Sequence, residues 1–103
     1  MKILICDDEQ QYIDKLKMHV EKFMQCRFIN YEIVTSKDPQ IILKSNDVYQ
    51  LAFLDIQMDE IDGISLAKTL KERNHKIVIF FVRQIYKRRY KINGQVCLLI
   101  QRR

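Results

Sequence analysis

Apolar residues fall in short blocks separated by amphipathic stretches. Lys2 to Cys6 is an apolar run that ends at Asp7-Asp8. Such a run suits a buried parallel strand, which is hydrophobic throughout rather than alternating. From Gln10 to Gln25, Ile13, Leu16, Val20 and Phe23 recur at helical spacing, flanked by Tyr12 and Met24, and predict an amphipathic helix. Tyr31 to Thr35 reads as a second strand. Ser36-Lys37-Asp38-Pro39 reads as a helix start, with Asp38 as cap and Pro39 in the first helical position. A short helix through Ile41, Ile42 and Leu43 follows, ending near Ser45-Asn46-Asp47. Tyr49 to Leu54 is a third strand that runs straight into Asp55. Residues 56–63 form an acid-rich loop closing at Gly63. Ile64 to Asn74 is a third helix, with Ile64, Leu66, Ala67 and Leu70 inward. Ile77 to Val82 is the most hydrophobic strand. Beyond it, residues 84–92 suggest a helix, Asn93-Gly94 a turn and Val96 to Ile100 a fifth strand, with no closing helix after it.

Alternating strands and helices call for an α/β fold: a doubly wound parallel sheet with helices on both faces and right-handed crossovers. With 103 residues, 48% of them hydrophobic and 30% charged, the chain has material for one domain and one modest core. No apolar run approaches the roughly 18 residues needed to cross a bilayer. The first residues turn acidic too early for a secretory signal. Cys6, Cys26 and Cys97 are odd in number and lack metal-type spacing, so reduced thiols in a cytoplasmic protein are expected. Met18, Met24 and Met58 are expected in packing, and His19 and His75 on the surface. These features disfavour a membrane span, a disulfide scaffold, a zinc ribbon and a two-domain enzyme. With Gly63 and Gly94 the only glycines, a phosphate-cradling glycine-rich loop is excluded.

The net charge of +5 conceals a split. Arg83, Lys87, Arg88, Arg89, Lys91, Arg102 and Arg103 all lie after Val82, and the last acid is Glu72. The first 82 residues are slightly acidic. A nucleic-acid binder would spread its bases over a face of the fold. A basic end carrying Tyr86 and Tyr90 is expected to be a solvated tail, ahead of a phosphate- or base-binding one.

The candidate chemistry sits at strand ends. Ligands of open α/β sheets bind outside the carboxyl ends of the strands. If the first and third strands are neighbours, Asp7, Asp8 and Asp55 converge. Carboxylates so close repel one another unless a cation joins them, and oxygen ligands favour a hard ion such as Mg2+. A carboxylate beside such an ion can also act as a nucleophile towards phosphorus. The competing expectation is that Asp7 or Asp8 merely caps the helix beginning near Gln10.

Ile3-Leu4-Ile5-Cys6-Asp7-Asp8-Glu9, followed by an amphipathic helix and then by Leu54-Asp55-Ile56-Gln57-Met58-Asp59-Glu60-Ile61-Asp62-Gly63, resembles the receiver domain of bacterial two-component response regulators. The resemblance covers about residues 2–82, taken as the receiver core. The Ile79-Phe80-Phe81-Val82 strand ending is similar to receivers that carry a LytTR-type DNA-binding output domain. The resemblance implies a flavodoxin-like fold and a signalling module rather than an enzyme. It further implies Asp55 as phosphoacceptor from a sensor histidine kinase, Asp8 as direct Mg2+ ligand, Asp7 as a ligand mainly through water, the Gln57 carbonyl as a further ligand, and Gly63 as the loop turn. It implies a homodimer as a possible assembly, no membrane partner, and DNA only through an output domain outside this chain.

Two positions depart from the family. Where receivers place Ser or Thr after the fourth strand, this chain has Arg83, whose long arm cannot replace a short hydroxyl in the same geometry. No Lys-Pro ends the fifth strand; Arg102 lies near the expected position. The resemblance stops where composition changes, so residues 83–103 are expected to be a divergent basic tail arising from a changed reading frame or a non-native end. The alternatives to a working receiver are a non-switching receiver-fold dimerisation module and a small Mg2+-dependent aspartyl phosphatase. The latter class wants a second acid two residues after the nucleophile, where Gln57 stands.

Overall fold

The computed structural model describes residues 1–56, 63–83 and 100–101. Its elements are β1 (Lys2–Cys6), α1 (Gln10–Gln25), β2 (Glu32–Ser36), α2 (Pro39–Lys44), β3 (Leu51–Asp55), α3 (Gly63–Arg73), β4 (Val78–Arg83) and β5 (Ile100–Gln101). The strands form one sheet in the order β2-β1-β3-β4-β5, and every neighbouring pair is parallel. The parallel sheet is the one the alternation of elements predicts, and its order is of the flavodoxin-like, doubly wound kind that the resemblance implies.

The third strand begins two residues later than its hydrophobicity suggests, because Tyr49 faces the core before the ladder starts, and it includes Asp55. The predicted helix at 84–92, the turn at Asn93-Gly94 and residues 96–99 of the predicted fifth strand lie outside the described residues.

Two clusters of buried side chains sandwich the sheet. Leu4, Cys6, Ala52 and Leu54 meet Ile42 of α2 and Leu66, Ala67 and Leu70 of α3 on one face. Ile3 and Ile5 meet Ile13, Val20 and Met24 of α1 on the other. β1 is buried on both faces, as its unbroken apolar run requires.

Three expectations need correction. Phe23 is 56% exposed, and Met24 is the buried residue. The stripe Ile13, Val20, Met24 keeps to the inner side of the helix, whereas Phe23 turns outward and lies 3.7 Å under the Arg27 guanidinium. Ile64 is exposed because the inner stripe of α3 is Gly63, Leu66, Ala67, Leu70. Met18 is likewise exposed. His19 and His75 are at the surface, as expected.

The connection into α2 follows the predicted start signal. The Asp38 carboxylate accepts the Gln40 amide at 2.9 Å, with Pro39 in the first turn. At the other end of α2, Arg73 reaches across from α3 to the Leu43 carbonyl and to the Ile42 carbonyl, which also accepts from the Ser45 cap amide.

Candidate metal and phosphoryl site

The register of the sheet decides where the acids go. Cys6 is paired with Leu54, so the next residues stand side by side, Asp7 just past β1 and Asp55 as the last residue of β3. The β1–β2 ladder runs one step further on the other side, where the Asp7 amide donates to the Ser36 carbonyl at 3.2 Å. Asp7 is therefore held in strand-like backbone although the strand formally ends at Cys6.

Asp7, Asp8 and Asp55 each offer a carboxylate oxygen, and these atoms lie within 4.8 Å of one another. Asp7 and Asp55 are buried and Asp8 is half-buried. The capping expectation is not met: the N-cap of α1 is Glu9, with no side-chain cap bond. Asp7 Oδ1 instead accepts the Glu9 amide at 3.0 Å, which fixes the carboxylate at the turn between strand and helix. Three carboxylates converging on one point are a donor set for a hard divalent cation, and Mg2+ fits that chemistry.

The surroundings carry the same sign. The Cys6 thiol is pushed up to about 12, first by burial and then by the charges of Asp7, Asp38, Asp55 and Asp8. It is a buried thiol held protonated, not a reactive one. Asp38, which the sequence marks only as a helix cap, thus also contributes negative charge near the cluster.

β3 pairs with β4 so that Asp55 lies opposite Val82, and Arg83 follows as the last residue of β4. The backbone of Arg83 is thereby set one step beyond Asp55. Gly63 opens α3, and its amide donates to the Ile56 carbonyl at 2.9 Å, closing the base of the loop that follows Asp55. Gln57, Met58 and Arg102 lie outside the described residues.

Residues 3–94 match the response regulator receiver domain family. The chain belongs to this family. The match continues past Val82, where the motif resemblance ends. This receiver domain is 31% identical over 81 residues to the nisin biosynthesis regulatory protein NisR of Lactococcus lactis subsp. lactis, a stretch that covers 77% of this chain and 33% of that protein. It is 28% identical over 74 residues to the alkaline phosphatase synthesis transcriptional regulatory protein PhoP of Bacillus subtilis, covering 70% of this chain and 28% of that protein. The chain thus spans about a third of the length of these curated relatives. Among solved structures, the response regulator protein TrrA of Thermotoga maritima, in complex with Mg2+-BeF, superposes with a TM-score of 0.65 at 27% identity, covering 80% of this chain and 68% of that one. The response regulator DrrB of Thermotoga maritima shares the fold, with a TM-score of 0.67 at 15% identity over 80% of this chain and 35% of that one. No helix among the described residues is long and apolar enough to cross a membrane.

Proposed function

We propose that this receiver domain accepts a phosphoryl group on Asp55 from a sensor histidine kinase, in a Mg2+-dependent step, and controls a DNA-binding output domain that lies outside this chain. The observation that carries the proposal is the convergence of Asp7, Asp8 and Asp55 at the carboxyl ends of adjacent strands. In the transfer, an Asp55 carboxylate oxygen forms the new bond to phosphorus as the phosphorus–nitrogen bond of the donor histidine breaks. The product is an acyl phosphate. A bound cation supplies charge neutralisation for the phosphoryl oxygens. Asp8 would hold it directly and Asp7 mainly through water, with the Gln57 carbonyl as the further protein ligand. Residues 1–82 are the receiver core in this reading, and 83–103 a divergent basic tail. The Ile79-Phe80-Phe81-Val82 ending of β4 favours an output domain of the LytTR type.

A second reading has one specific observation in its favour. Arg83 occupies the strand position after Val82, one step beyond the partner of Asp55, where the phosphate-sensing residue of a switching receiver is a short hydroxyl. A guanidinium there favours a domain that keeps the fold and the acids but does not switch, and that works by self-association. Arg102 is the candidate phosphate contact in place of the family lysine.

The test is the intact mass of the folded protein after incubation with acetyl phosphate and Mg2+. The expected result is a gain of one phosphoryl group in the parent and none in Asp55→Asn. No gain in the folded parent overturns the phosphoacceptor role and leaves a receiver architecture without that function. No gain together with retained self-association in sedimentation favours the non-switching module.

A further inference from the structure

α3 starts unusually close to the acid that the site depends on. Gly63 is buried, and a Cβ added to it would run into the carbonyl oxygen of Asp55, with the Asp55 carbonyl carbon and the Ile56 Cα both at 3.1 Å. All three atoms belong to the backbone, so no side-chain rotation relieves the clash. The φ of Gly63 is outside the left-handed region. Glycine is therefore required here for space and not for backbone freedom. Local preference points the other way, because alanine is the better helix former.

We propose that Gly63 is a positioning residue for Asp55. The first residue of α3 rests directly on the backbone of the acid, and the Gly63 amide is tied to the Ile56 carbonyl beside it. This contact sets the height of the Asp55 carboxylate against Asp7 and Asp8. The inference deepens the functional reading above and rests on it for what the carboxylate does.

The test compares Gly63→Ala with Ala67→Gly in the full chain, by thermal unfolding and by calorimetric titration with Mg2+. Gly63→Ala is expected to melt below the parent, against the helix-propensity trend, and to bind Mg2+ roughly tenfold more weakly or worse, as for loss of a group that orients metal ligands. Ala67→Gly, which loosens the same helix away from the contact, is expected to melt lower with its Mg2+ affinity unchanged. A Gly63→Ala protein with unchanged Mg2+ affinity overturns the proposal, whether or not it melts lower. If Gly63→Ala does not fold, the parent carries the test. Its Gly63 amide resonance is expected to move with Mg2+ along the same saturation curve as that of Asp55, and a stationary Gly63 overturns the proposal. A parent that binds no Mg2+ counts against the functional reading alone. The amide resonances of Asp7, Asp8 and Asp55 in Gly63→Ala then decide the positioning role, displacement beyond that in Ala67→Gly supporting it and parent-like positions overturning it.

Discussion

The Arg73 guanidinium on α3 donates to the Leu43 carbonyl on α2 at 2.8 Å. Its other nitrogen reaches the Ile42 carbonyl at 3.2 Å and the Asp47 carbonyl at 3.4 Å. α2 has only six residues, too few to be stable by itself, and its cap amide on Ser45 closes on Ile42, so Arg73 is the side chain that reaches the Leu43 carbonyl beyond it. A cation at that end also suits the helix dipole. Arg73→Met is expected to destabilise the fold by about 1.5–3 kcal/mol, the range for hydrogen bonds made by a charged group. Arg73→Lys should recover only part of this, because an ammonium cannot fork to several carbonyls. Urea unfolding midpoints test both; a parent-like midpoint for Arg73→Met rules out the clamp.

The opposite end of α2 makes a smaller, separable prediction. Asp38 accepts the Gln40 amide. Asp38→Ala should cost about 1 kcal/mol and Asp38→Asn much less, since asparagine caps equally well. Equal losses in the two variants, read from the same urea curves, would show that charge rather than capping matters here.

Alkali should weaken the fold in a defined window. The Cys6 thiol is raised from 9.0 to about 12, mainly by burial and then by Asp7. The Tyr49 phenol is raised from 10.0 to about 12, mainly by burial and then by Asp47, with Arg73 pulling the other way. Above their ordinary values the unfolded chain gives up these protons while the folded one keeps them, so stability falls as pH rises. Stability is expected to be flat below about pH 9 and to decline towards pH 12. Cys6→Ala should flatten the first part of that decline. Unfolding free energies measured across the range would contradict this if the slope were zero or positive.

A divalent cation should stabilise the domain through the acid cluster. A ligand at about 100 times its dissociation constant adds ~2.7 kcal/mol to a folded state that alone binds it. Mg2+ is expected to raise the melting temperature of the parent progressively, and Asp8→Asn or Asp55→Asn should abolish most of the rise. A melting temperature indifferent to Mg2+ in all three proteins would remove the cluster as a cation site.

How much of this is legible in the sequence varies with the kind of interaction. The element sequence and the parallel sheet follow from the alternation of apolar runs, and acids at two strand ends mark the candidate site, but that Asp7, Asp8 and Asp55 meet depends on β1 and β3 being neighbours, which the sheet order supplies. Local chemistry also declares the Asp38-Pro39 start. Phe23 is misplaced because hydrophobicity cannot resolve the angular difference between neighbouring helix positions, and an arginine on the same surface covers its ring. Ile77 to Val82 is the most hydrophobic run of the sequence, yet Val78 and Phe80 in β4 are exposed at 51% and 41%. They lie on the side where Phe80 stacks on Phe53 at 5.5 Å. A run of apolar residues records what the strand contains, not which neighbours cover it. Gly63 looks like a loop turn because the clash that requires it is with a residue contacted only once the chain has folded.

The pairing of Ile3 with Leu51 joins strands between which α1, β2 and α2 intervene in the chain. The acids at the carboxyl ends of those strands are therefore separated by this long excursion and gather only when it closes, a slow kind of contact. Mutual repulsion then does not obstruct the initial collapse, and a cation has little to hold until the central pair is complete. Mg2+ should accordingly act on the lifetime of the folded domain more than on its rate of formation, slowing escape from the native state while leaving the folding arm nearly unmoved.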